Sequence, residues 1–130
     1  MIKVGDEASF SKTMTEFDVY SFAGITGDFN PVHTNRIAAE KSRFGRQICH
    51  GMLVSSFIST VLGMYCPGPG TIYLEQSMRF EKPVYIGDTI SANVKVVDIQ
   101  QRVVTLKTTV VNQNEIVVIT GLAKVMIDNE

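Results

Sequence analysis

The sequence is poor in the residues that announce special chemistry: of 130 residues, two are cysteines and two are histidines, and neither sign of charge dominates. Each scarcity excludes something. Twelve Lys and Arg against 13 Asp and Glu leave a formal net charge of -1, so there is no general polyanion-binding character and nucleic acid is not an expected partner. The most apolar run, Met52 to Tyr65, falls short of the ~20 residues that cross a bilayer. No membrane partner is expected either. The first residues, MIKVGDEASF, lack the basic-then-apolar build of a secretory leader, and the chain reads as soluble and cytoplasmic. With 45% hydrophobic and 19% charged residues it is not a disordered sequence. Cys49 and Cys66 show neither CxxC nor metal-ligand spacing and flank a helix whose rise holds them ~20 Å or more apart, too far for a disulfide. Both read as reduced thiols, Cys49 as a buried structural residue rather than a nucleophile beside His50, and no metal site is expected.

What is present suits one domain, residues 1–130, and a chain of this length buries roughly two-thirds of its unfolded surface. A short strand and helices come first, strands afterwards. Thr15 with Asp18 three positions on predicts a helix start, and Gly27 predicts its stop. A second short helix is expected in NRIAAEKS. HGMLVSSFISTVLGMY is apolar nearly all round, as a helix enclosed by protein would be. Along it Gly51, Ser55, Ser59 and Gly63 recur at every fourth position, a ridge of small residues that serves close packing or lines a substrate site. PGPG ends it, and the period then becomes two. Ile72, Leu74, Met78 and Phe80 are predicted to share one face, as are Ile90, Ala92, Val94 and Val96, and Val104, Leu106 and Val110. The last run, EIVVITGLAKVMI, is apolar on both faces, as a central strand would be. An α+β domain follows, an antiparallel sheet curled around one long helix.

The stretch GDFNPVH places one of the two histidines five residues after an aspartate. No helix brings that pair onto a common face, so the Gly27 stop and the Asn30-Pro31 break must shape a loop, Asp28 to Val32, that does. By residue type alone, Asp28 and His33 read more readily as cap or surface residues than as catalytic ones. His50 reads mainly as a structural residue at the start of the long helix, and the basic run KSRFGR, Lys41 to Arg46, as a solvated loop or a phosphate contact.

Three blocks, FAGITGDFNPVH, HGMLVSSFISTVLG and PGPGTIYLEQSMRFEKPVYIGDTI, stand in the order and at the spacing of the MaoC-like hydratases. The chain resembles most closely the (R)-specific enoyl-CoA hydratases of the hot-dog fold, over nearly its whole length. The resemblance implies a sheet wrapped around the long helix, a homodimer with active sites near the subunit boundary, and an acyl-CoA thioester as substrate. No cofactor is expected, coenzyme A being part of the substrate. It also implies Asp28 and His33 as catalytic residues, the Gly51 N–H as the donor to the thioester carbonyl, a hydrogen-bonding role for Ser59 and an acyl-pocket position for Leu62. Asn30 is expected to brace the loop and, with Ser59, to orient the water or the substrate.

The implied reaction, reversible addition of water to trans-2-enoyl-CoA giving (R)-3-hydroxyacyl-CoA, suits these groups. It needs a base for the water, a proton for Cα and a donor for the enolate oxygen. Ser59 and Leu62 resemble short-chain members. A thioesterase or an acyl-carrier-protein dehydratase on the same fold, or a non-catalytic acyl-CoA-binding subunit, are the competing expectations.

Overall fold

The computed structural model describes residues 1–128, so the expected domain bounds extend two residues past the described chain. The elements run β1 (Glu7–Thr13), α1 (Glu16–Thr26), α2 (Pro31–Thr34), α3 (Arg36–Glu40), α4 (Gly51–Met64), β2 (Thr71–Phe80), β3 (Thr89–Gln100), β4 (Val103–Val111) and β5 (Val117–Ile127). The strands form one antiparallel sheet in the order β1-β3-β4-β5-β2, and α4 packs across its inner face.

Local chemistry accounts for the ends. Thr15 and Asp18 close a reciprocal capping box on α1, each side chain bonding the other's backbone N–H, and Gly27 stops the helix with φ 82°. Asn35 caps α3, the short helix expected in NRIAAEKS.

The strand pattern holds best in the middle of the sheet. Ile90, Ala92, Val94 and Val96 on β3 and Val104, Leu106 and Val110 on β4 are all buried on one face, with Ala92 opposite Val110 and Val96 opposite Leu106. β2 departs from the expectation. A bulge leaves Leu74 unpaired between Tyr73, opposite Val125, and Glu75, opposite Lys124. One extra residue reverses the alternation, so Tyr73, Gln76, Met78 and Phe80 face α4 while Ile72 lies on the outer face. β5 is an interior strand rather than the middle one. Its doubly apolar look has a local cause: Val118 is the extra residue of a second bulge, so Val118 and Ile119 are buried in succession, whereas Val117 and Leu122 are exposed. At Gly121 a β-carbon would fall 1.9 Å from the Ser77 carbonyl oxygen, so only glycine lets β5 and β2 approach there.

α4 is not enclosed on all sides. Leu53, Val54, Ile58, Val61 and Leu62 pack into the core, while Met52, Ser56, Ser59 and Met64 are exposed. No described helix is long and apolar enough to cross a membrane.

Candidate active site

The segment after α1 is built by short side-chain hydrogen bonds. The Asp28 N–H donates to Thr26 Oγ1 at 3.2 Å, and Asp28 Oδ1 accepts the Asn30 N–H at 3.2 Å. Asn30 then caps α2, its Oδ1 accepting the Val32 N–H at 3.3 Å, with Pro31 in the first turn. The expectation that Asp28 to Val32 is all loop is thereby corrected. The proline that ends regular structure before it begins a one-turn helix after it, and that turn carries His33 inward.

His33 is 9% exposed, and its Nδ1–H donates to the Ile48 carbonyl at 2.8 Å, which leaves the Nε2 lone pair free. His50 lies against it, ring centroids 4.0 Å apart, with Phe22 on a further side at 4.9 Å. At the N-cap position of α4 its side chain makes no capping bond; its Nε2–H donates to the Asp28 carbonyl at 3.0 Å, and its buried Nδ1 has no partner. His50 therefore ties the Asp28 backbone to the start of α4. That function was not readable from the sequence, because the contact spans 22 positions of chain.

One polar atom each from Asp28, His33 and His50 falls within 4.8 Å of the others. Such a trio invites a metal. The imidazoles, however, stack at 4.0 Å with 27° between their planes, whereas one ion ligated by both would have to lie in the plane of each ring. A water fits better. The Asp28 carboxylate and a neutral His33 Nε2 are both acceptors, so each can take one hydrogen of a bridging water and leave its lone pair facing outward.

Burial, reinforced by the neighbouring His50, pushes the His33 imidazole below its ordinary value of 6.5, against the opposing pull of the Ile48 hydrogen bond. A depressed folded-state value means that the unfolded chain binds the proton more readily. Stability should thus fall as the pH drops below about 6.5 and be unaffected by this group above it. The expected result of an NMR titration is a His33 midpoint below 6.5; a midpoint above it would place the Asp28 charge, not burial, in control.

Gly51 is the first residue of α4, where N–H groups lack intrahelical partners and the helix dipole is positive. A β-carbon there would lie 2.8 Å from Phe80 Cε1 and 2.9 Å from Cδ1, so glycine is what lets the Phe80 ring cross the helix end. His33, Gly51 and Phe80 line one cleft of about 510 Å³. Asp28, Asn30, His33 and Gly51 are thus brought to one locality.

The other expected residues are not. Ser59 lies two turns on, ~12 Å along the axis, and lines a second cleft of about 450 Å³ with Ser55, Tyr73 and Gln76. Met52 borders both. Leu62, expected at an acyl pocket, is 1% exposed and belongs to the hydrophobic core. The ridge does not act as one surface. Four residues turn a helix by 400°, so each step rotates it ~40°, and a β-carbon at Gly63 would meet nothing within 4 Å. Burial raises the Cys49 thiol to about 12, which leaves it inert as a nucleophile at neutral pH. Both cysteines are free and buried.

The MaoC-like domain family matches residues 3–119. The chain is 47% identical over 128 residues to the (R)-specific enoyl-CoA hydratase of Rhodospirillum rubrum, covering 97% of this chain and 88% of that one. It is 39% identical over 126 residues to the (R)-specific enoyl-CoA hydratase of Aeromonas caviae, covering 95% and 94%. The solved structure of the A. caviae (R)-hydratase involved in PHA biosynthesis superimposes with a TM-score of 0.95 at 38% identity, over 98% of each chain.

Proposed function

The chain belongs to the MaoC-like domain family, with the hot-dog fold, and on that premise we propose that it is an (R)-specific enoyl-CoA hydratase, a hydro-lyase acting reversibly on trans-2-enoyl-CoA. The observation that carries this reading is the approach of the Asp28 carboxylate to a His33 ring nitrogen within 4.8 Å, with His33 lining the cleft into which the first turn of α4 opens.

In the proposed reaction, Asp28 and His33 hold the water by its two hydrogens, with its lone pair toward the substrate Cβ. As oxygen bonds to Cβ, Asp28 takes the proton and the π electrons move through Cα to the thioester oxygen. The enolate charge faces the Gly51 N–H. The proton then returns to Cα, with His33 Nε2 relaying it, and the net change is one water added. Asn30 keeps the two side chains in place through the α2 cap, and His50 fixes the Asp28 main chain. Ser59 and Met52, on the exposed face of α4, border the space left for the acyl chain.

The site works within a homodimer. β2 is an edge strand, and Tyr73 and Leu74 on it and Met64 and Tyr65 at the end of α4 are exposed apolar groups that a second copy covers. The free, buried cysteines suit a reducing compartment, the cytoplasm.

The test uses protein whose mass by light scattering is that of two chains. With crotonyl-CoA, the enoyl-thioester absorbance should fall, and chiral analysis should return the (R)-3-hydroxyacyl product. No loss of absorbance at high enzyme concentration would end the hydratase reading, and release of free thiol instead would make the protein a thioesterase. A series of four- to ten-carbon enoyl-CoA substrates sets the chain length.

A further inference from the structure

The cleft that holds His33 and Gly51 continues to two cations of separate origin. Arg43 comes from the loop after α3, and Lys82 from the connection between β2 and β3. Both are exposed, and neither belongs to any described ion pair. Of the basic residues between Lys41 and Arg46, only Arg43 lines this cleft. Arg46 is committed elsewhere, 4.0 Å over the Tyr85 ring and donating to the Ile86 carbonyl at 3.4 Å. The Arg43 guanidinium is itself held 5.1 Å over the Phe44 ring, a stack that orders the group and leaves its N–H edges for an anion. One carboxylate shares the wall. Glu81 is already occupied, accepting the Thr120 hydroxyl at 3.1 Å and lying 3.9 Å from Arg79 Nε. The cleft thus pairs an apolar stretch at Phe80 and Pro83 with two uncommitted positive charges.

We propose that Arg43 and Lys82 bind the phosphates of the coenzyme A carrier, with the pantetheine arm lying along Phe80 and the thioester at Gly51. This rests on the hydratase reading, which requires that one end of the cleft receive a thioester. An arm and its phosphates are amphiphilic in the same order as the wall: apolar near the reacting carbonyl, anionic at the far end. Arginine grips a phosphate by two parallel N–H bonds and lysine as a point charge, so the two together select phosphate over neutral polar groups.

The probe is a pair of crotonyl thioesters, on coenzyme A and on pantetheine, which keeps the arm and lacks every phosphate. For crotonyl-CoA, kcat/KM should fall about tenfold in Arg43→Ala and in Lys82→Ala, and about 10²-fold in the double variant. Crotonyl-pantetheine should be hydrated equally by all of these proteins, and Lys41→Ala should change neither substrate. Equal losses on both substrates, or no loss on either, would overturn the assignment while leaving the hydratase reading standing. Calorimetric binding of free coenzyme A separates the two ideas. At least a tenfold weaker affinity in the double variant supports the phosphate site even if no thioester is hydrated, whereas unchanged affinity overturns it. Enoyl 4′-phosphopantetheine locates the contact: a loss in the double variant with this substrate assigns the pair to the phosphate nearest the arm.

Discussion

Asp28→Asn is expected to lower kcat on crotonyl-CoA by about 10² or more, the range general acid–base groups commonly supply, while the melting temperature stays nearly constant. The substitution keeps the shape of the residue and removes its charge. Oδ1 of an asparagine can still accept the Asn30 N–H that Asp28 accepts at 3.2 Å, so the turn into α2 survives. The His50 bond goes to the main-chain carbonyl of residue 28 and is also untouched. Because the side chain is exposed, the stability change should be within roughly 0.5 kcal/mol. What changes is the polarity of the water site. A carboxylate presents acceptors only, whereas the amide can present its NH₂ to the same water and turn a hydrogen away from the position it must hold. Substrate binding through the Gly51 cleft does not involve this group, so the loss should lie in kcat with KM little altered. A variant retaining near-wild-type kcat would remove Asp28 as the base.

The sequence made the centre of the sheet readable because β3 from Ile90 to Val96 and β4 from Val104 to Val110 bury one face in strict alternation, where a slip of one residue would turn Val94 or Leu106 to solvent. The same rule concealed β2 and β5. Each contains a bulge, and the extra residue at Leu74 or Val118 inverts the pattern without any compositional mark, since Leu and Val are unremarkable in strands. α4 was misread differently. Its apolar circumference predicts enclosure, but the chain covers only the Leu53–Ile58–Leu62 side and leaves Met52 and Met64 exposed.

At the site, the residues close in sequence were legible and those joined through space were not. Gly27, Asn30 and Pro31 write the turn that presents Asp28 and His33, although the Asn-Pro pair was also a helix start: asparagine at the N-cap and proline in the first turn are favoured together. His50 lies at the opposite extreme. Its bond to the Asp28 carbonyl and its stack on His33 depend on how α4 docks against the α1–α2 turn, which no periodicity encodes. Lys82 was invisible for the same reason: a lone lysine in a strand connection acquires meaning only when the fold sets it beside Arg43 on one cleft.

Gly51→Ala tests the other half of the reaction, and its expected effect is a loss of about 10² in kcat/KM, the scale on which displacements of about an ångström are felt at a reacting centre. The backbone N–H survives this change, and alanine is a good helix residue, so neither the donor nor α4 is removed. The methyl group would instead lie 2.8 Å from Phe80 Cε1. The Phe80 ring is 52% exposed and can swing aside, which keeps the stability cost small, but both it and the methyl group then occupy the approach to the N–H. A smaller residue at position 80 should relieve the collision. Phe80→Leu alone keeps an apolar wall and should cost less than Gly51→Ala, and Gly51→Ala with Phe80→Leu should recover part of the lost rate, a non-additivity expected of two residues in contact. If Gly51→Ala were fully active, the thioester would have to approach elsewhere. If the double variant were as impaired as Gly51→Ala, the methyl group itself, rather than the displaced ring, would be the obstacle, and the donor would still be the Gly51 N–H.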